Sequence, residues 1–352
     1  MTATRAVTLL VLIAIILLWW LVEGAQGTTS ANAGAPMRVP EAERYWESRI
    51  HEIGGKSAYT VFAESVATAT PQSQHESVHA FGAALYTVEG IAGLPVCDDR
   101  FSFGCFHEFL GRAIADRGLE SVSALDEGCF SVLTTSQLSC SHGIGHGILA
   151  YLGYEHADLE RALATCRGLP HFDPIGGCYG GVFMEYNFQT MLGRDGITRA
   201  VLEGDVLYPC NQLSDEYTDA CAYWQPQWWN QVLKQDLAES EARFARIGAL
   251  CSSLGKEGRV RMCFEGVGNI IGPVVDFDGR RAAQLCEHSS GDSRYQLFCK
   301  STVANSLFLG GSGKKGDAHA VRAGLTGLYL DYCSAYSMNA TERITREMRS
   351  AI

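Results

Sequence analysis

Cys140-Ser-His-Gly-Ile-Gly-His146 decides the fold, because five other runs in the chain follow the same rhythm. They are Cys105-Phe-His-Glu-Phe-Leu-Gly111, Cys178-Tyr-Gly-Gly-Val-Phe-Met184, Cys221-Ala-Tyr-Trp-Gln-Pro-Gln227, Cys263-Phe-Glu-Gly-Val-Gly-Asn269 and Cys299-Lys-Ser-Thr-Val-Ala-Asn305. Their cysteines step by 35, 38, 43, 42 and 36 residues. A period of this size is the signature of stacked helix pairs. Each is preceded by a partner: Cys97, Cys129, Cys166, Cys210, Cys251 and Cys286. Stretches leading to the first cysteine of a pair, such as Ala157–Cys166 and Leu237–Cys251, place apolar residues at helical spacing and then meet breakers. Alternating strand patterns are scarce. Each unit is therefore expected to be a helix ending at the first cysteine, a short loop, and a helix starting at the second. The expected fold is all-α: stacked helix-hairpin repeats, superhelical or toroidal, behind one N-terminal transmembrane helix.

The end of one helix and the start of the next lie within disulfide reach across such a loop. Six bridges are expected, 97–105, 129–140, 166–178, 210–221, 251–263 and 286–299, each contributing about 3 kcal/mol in the chain-entropy picture. The chain has 13 cysteines, so Cys333 is left over. The Cys…Gly-Cys-x-x-Gly rhythm, as in Gly177-Cys178-Tyr179-Gly180-Gly181, resembles cysteine-rich α-helical repeat proteins related to the tetratricopeptide superfamily over roughly residues 72–335. That resemblance implies a superhelix with a concave face and no particular activity.

Residues 6–22 are an uncharged apolar run, with Arg5 before it, Glu23 after it, and Trp19 and Trp20 near its end. At about 1.5 Å per residue it just spans a bilayer. The positive-inside rule puts the N-terminus in the cytoplasm. Residues 1–22 read as cytoplasmic tip and membrane anchor, 23–40 as a flexible linker, and 41–352 as an extracytoplasmic repeat domain. The rival is a cleaved signal peptide with Ala31-Asn32-Ala33 at its end, which would make the protein secreted once residues 1–33 are removed. Both export the domain into an oxidising compartment. Of the 352 residues, 47% are hydrophobic and 19% charged, which excludes global disorder. A net charge of −11 argues against nucleic acid as a partner.

Histidines fall in register across the repeats. If His75-Glu76-Ser77-Val78-His79 heads an earlier, cysteine-free unit, the second position is His75, His107, His142, Gly180, Tyr223, Glu265 and Ser301. The sixth is His79, Gly111, His146, Met184, Gln227, Asn269 and Asn305. The fourth, with Phe109, Ile144, Val182, Gln225, Val267 and Val303, reads as core. Residues four apart share a helical face. Five of the ten histidines thus line two adjacent columns. An i,i+4 histidine pair aims two imidazoles at one spot, and helices packed about 8–10 Å apart let neighbouring pairs meet at one ion.

The expected centre holds a transition metal (zinc, iron or copper) on His75, His79, His107, His142 and His146, with Glu108 and Glu185 as ligand or base. His156 and His171 could gate it. Glycines at 111, 143, 145, 147, 180 and 181 are expected to allow close helix approach or leave room for a ligand. Residues 75–79 also match HExxH, with Glu76 as general base of a zinc hydrolase, but Leu85 stands where a metzincin needs its third His. Trp224, Trp228 and Trp229 read as packing rather than a stacking platform. The leading function is a metal site on the concave face. The alternatives are a non-catalytic scaffold whose groove takes a protein or small molecule, and an HExxH hydrolase.

Overall fold

Helices occupy the stretches where apolar residues recur at helical spacing, and few devices beyond proline, glycine and a polar cap end them. The computed structural model describes residues 39–133, 137–192, 205–310 and 321. Among these are thirteen α-helices and no strand. They are α1 Val39–Ile53, α2 Gly55–Ser65, α3 Pro71–Glu89, α4 Gly104–Arg117, α5 Val122–Val132, α6 Gln137–Leu152, α7 His156–Arg167, α8 Cys178–Leu192, α9 Thr218–Leu233, α10 Ser240–Ser252, α11 Glu257–Val274, α12 Gly279–Ser289 and α13 Ser293–Gly310. Residues 6–22, Cys333 and most of residues 1–41, a unit separate from residues 42–352, lie outside the described residues. No helix among the described residues is long and apolar enough to cross a membrane.

Local chemistry sets several helix ends. Pro71 supplies the fixed φ of a first turn, and the Thr70 hydroxyl accepts from the Ser73 amide at 3.2 Å to start α3. Asp278 caps α12 by accepting from the Arg281 amide at 3.0 Å. Gly118, at φ 75, closes α4.

All six expected disulfides are present, with Cα–Cα separations of 5.5–5.7 Å. They indicate an oxidising, extracytoplasmic or secreted location. In four of them the first cysteine lies near the end of a helix (Cys129, Cys166, Cys251, Cys286); the second lies in the first turn of the next helix for Cys140 and Cys178, and in its second turn for Cys263 and Cys299. Two depart from this. Cys97 follows the 3-10 turn Gly90–Val96, which contains Pro95, and Cys210 follows Pro209 in a turn. A proline just ahead of the cysteine removes an amide donor and disfavours the α conformation in the residue before it, which works against a regular α-helix there.

The second helices pack in succession: α3 on α4, α4 on α6, α6 on α8, α8 on α9, α9 on α11 and α11 on α13. α5 and α7 flank α6, and α10 and α12 pack on each other and on α11. α13 also touches the turn Arg100–Phe103, which itself packs on α3 and α4. The fourth-position residues Phe109, Ile144, Val182, Gln225, Val267 and Val303 are buried. So are Trp224, Trp228 and Trp229; Trp224 donates to the Ile175 carbonyl at 3.1 Å and Trp229 to that of Val206 at 2.6 Å, as packing residues do.

The α6–α8 crossing depends on two glycines. A Cβ on Gly145 would sit 2.8 Å from the Val182 amide nitrogen and 2.9 Å from the Cys178 carbonyl carbon, with the Cys178 oxygen closer still. A Cβ on Gly181 would meet the His142 carbonyl carbon and the His146 nitrogen, each at 2.9 Å. The backbones therefore touch, and the glycines serve close approach.

Candidate metal centre

Four successively packed helices carry the site: α3 brings His75 and His79, α4 brings His107, α6 brings His142 and His146, and α8 brings Met184 and Glu185. All five histidines expected at the centre come together. Ring centroids are 4.7 Å apart for His75 and His79, 5.3 Å for His75 and His107, and 5.5 Å for His79 and His107. Beyond His107 they are 4.2 Å to His146 and 5.5 Å to His142, with 5.0 Å between those two. Ligand nitrogens of His75, His79 and His107 lie within 4.8 Å of one another, and so do those of His107, His142 and His146. Both triads share His107. His107, His142 and His146 are buried; His75 and His79 are partly so.

Hydrogen bonds set which ring nitrogen carries hydrogen. His75 Nδ1 lies 2.8 Å from the Phe101 carbonyl oxygen, and His142 Nδ1 lies 3.0 Å from that of Gly176. A carbonyl only accepts, so both rings donate from Nδ1 and keep the Nε2 lone pair. His146 Nδ1 donates to Glu185 Oε2 at 2.8 Å, while the Tyr154 hydroxyl donates to Glu185 Oε1 at 2.6 Å. This is how proteins orient a metal-binding imidazole through its far nitrogen.

The consequence is a conflict that something must resolve. His142 Nε2 and His146 Nε2 face each other at 3.2 Å, lone pair against lone pair. Only a proton or a cation between them makes the contact favourable. Two nitrogens bound tetrahedrally to one ion at 2.0–2.1 Å stand about 3.3–3.4 Å apart, nearly the separation present. His107 Nε2 is buried without a hydrogen-bond partner. Burial, reinforced by the His146 imidazole, holds His142 down at about 3. His107 is pushed well below its ordinary value by burial and then by the four surrounding imidazoles, and burial also lowers His75. These rings are neutral at physiological pH, the state that ligates metal.

The carboxylates divide. Glu185 orients His146. Glu108 accepts from Arg112 Nε at 3.0 Å, and Arg112 reaches on to Glu43 at 2.9 Å; burial raises the Glu108 carboxyl, against the pull of Arg112. Glu76 is exposed and accepts from Gln72 Nε2 at 2.8 Å, so residues 75–79 bring two imidazoles together while the intervening carboxylate faces solvent. His156 bonds Tyr208 at 3.4 Å, and His171 bonds Asp126 at 3.0 Å and stacks on Phe130 at 3.9 Å, so each is engaged elsewhere.

Two contributors escaped the reading of the sequence. Met184, in the sixth-position column, places its thioether sulfur 3.3 Å from His142 Nε2. The Phe101 carbonyl reaches His75 from a turn in which Phe101, Ser102 and Phe103 all take positive φ (56, 50 and 66), a strained backbone with no glycine to announce it.

Compared with known proteins, the chain matches no family model, no curated protein and no solved structure. The all-helical architecture is compatible with a helical repeat, and no relative names the tetratricopeptide superfamily.

Proposed function

We propose that this protein holds transition-metal ions in a five-histidine centre, within an exported array of disulfide-stapled helix hairpins. The array would close on itself, with the centre on its inner, concave face. The unbroken packing from α3 to α13 and the return of α13 to the Arg100–Phe103 turn support that closure. Residues 6–22 would tether it to a membrane, where the apolar run is long enough to anchor.

One observation carries the function: two buried imidazoles, each locked by its Nδ1 onto an acceptor, point bare Nε2 atoms at each other 3.2 Å apart beside a third. A cation resolves this and uses donors suited to zinc, copper or iron. The three imidazoles of the His107–His142–His146 group supply three of the four donors that a tetrahedral ion takes. A zincin-type hydrolysis is not favoured, since Glu76 is exposed and engaged by Gln72.

The test is elemental analysis of the domain purified from an oxidising compartment. Stoichiometric zinc, copper or iron is expected, and its loss in the His142→Ala/His146→Ala variant. A folded wild-type protein that takes up none of these ions under titration overturns the function: the facing nitrogens then share a proton, and the interaction scaffold, with its groove for a protein or small molecule, is left.

A further inference from the structure

We propose that the Met184 thioether is a fourth donor of the His107–His142–His146 site and makes that site selective for a monovalent soft ion, cuprous copper. This deepens the proposed metal-binding function and rests on it. Met184 lies on α8, which faces α6 across the glycine-lined crossing. Its sulfur lies 3.3 Å from His142 Nε2, the same atom that faces His146 Nε2 at 3.2 Å. Sulfur and nitrogen bound tetrahedrally to one ion, at about 2.3 and 2.0–2.1 Å, stand roughly 3.6 Å apart, so a small outward shift admits the ion. The next residue, Glu185, orients His146, and α8 thereby supplies both a donor and the group that aims another.

Imidazole accepts zinc, copper, iron or nickel with little discrimination, whereas a thioether is soft and favours Cu(I). A set of three nitrogens and one thioether, buried between helices, therefore prefers a soft monovalent ion to Zn(II). A purely space-filling methionine would need no approach to the lone pair of a neutral imidazole. Its unbranched, flexible side chain instead brings the sulfur to hydrogen-bond range of His142 Nε2, one of the nitrogens that converge at the centre.

The experiment compares the wild-type chain with Met184→Leu, a swap of similar volume. Both carry Cys333→Ser, which removes the one cysteine outside the six bridges as a competitor for soft ions. Ag(I) in chloride-free buffer serves as the cuprous probe, since it needs no reductant that would open the disulfides. Zn(II) is titrated in parallel, and circular dichroism and Tm monitor the fold. The expected result is an Ag(I) affinity lowered at least about tenfold in Met184→Leu, the scale on which even an outer partner counts, with Zn(II) affinity nearly unchanged. Equal Ag(I) binding by the two proteins overturns the inference while leaving the histidine centre intact. Equal loss of Ag(I) and Zn(II) also overturns it, because Met184 then acts through packing. Binding of neither ion by wild type overturns the metal centre itself.

Discussion

Replacing Gly145 by alanine tests whether the close α6–α8 crossing holds the site. The added Cβ would lie 2.8 Å from the Val182 amide nitrogen, with ordinary contact beginning at 3.4 Å. Clearing that atom, and the nearer Cys178 oxygen, requires the helices to part by clearly more than about 1 Å. The Cys129–Cys140 and Cys166–Cys178 bridges tie α6 and α8 each to the helix before it and not to one another, so no covalent link keeps the two from parting. His146 Nδ1 to Glu185, now 2.8 Å, would move beyond hydrogen-bond range, and the Met184 sulfur would leave His142. Overpacking of this kind costs about 1–3 kcal/mol, or a fall in Tm of roughly 1–5 °C for a chain of 352 residues. Loss of the orienting bond should weaken metal binding about 10–100-fold. Gly111→Ala is the control: it is also in a helix interior, its Cβ would meet nothing within 4 Å, and it should leave Tm equal or raise it by about 1 kcal/mol of stability. The assay is Tm by circular dichroism plus Zn(II) competition against a chromophoric chelator. A Gly145→Ala protein with wild-type Tm and wild-type Zn(II) affinity refutes the reasoning.

His107 belongs to both triads, so His107→Ala should release more metal by elemental analysis than His79→Ala, which touches one; equal loss contradicts the shared ligand. In the metal-free protein His142 is held near 3 against an ordinary 6.5, so on acidification the unfolded chain takes the proton first. The His142 contribution to stability should therefore be full above pH 6.5, fall about tenfold in the folding equilibrium per pH unit below it, and level off near 3, with His107 and His75 steepening the total. Urea titrations across that range check the slope, which should be shallower in His142→Gln; identical slopes sink the assignment. Arg261 and Glu265 form a buried pair at 2.9 Å, so Glu265→Gln strands a buried cation and should cost about 3–5 kcal/mol, read from the shift in denaturation midpoint, whereas a change under about 1 kcal/mol would show the pair to be dispensable.

Cysteine spacing made the all-helical fold legible because a disulfide constrains geometry directly: two cysteines 5.5 Å apart at Cα bring consecutive helices side by side. The histidine columns were legible for a related reason, since a helical period places residues four apart on one face whatever the helix packs against. Periodicity does not say which way a neighbouring residue points. Glu76 sits one step, about 100°, around from His75, and that step takes it to solvent. The Phe101 and Gly176 carbonyls were invisible, because backbone atoms carry no residue label and their positions depend on loops. Met184 stood in the right column, but a methionine in a helical stripe is ordinarily core, and only its neighbour's lone pair marks it out.

The same register explains where the centre ends. His107, His142 and Gly180 all stand two residues after the second cysteine of their bridges, so each disulfide fixes the starting turn that aims this position. In the third unit a side chain there would displace the second unit's ligand: a Cβ on Gly180 would lie 3.0 Å from His142 Nδ1, where the ring donates to Gly176. Gly104 plays the same part for His75, whose Nδ1 would lie 3.0 Å from a Cβ there. Each of these units thus gives up a side chain so that the preceding unit's imidazole can reach a carbonyl and turn its other nitrogen inward. Past α8 the register continues but the chemistry changes, with Glu265 paired to Arg261 rather than offered to an ion. Among the described residues the histidine groups thus fall on α3, α4 and α6, where an imidazole has both its own helix and a neighbour that leaves it space.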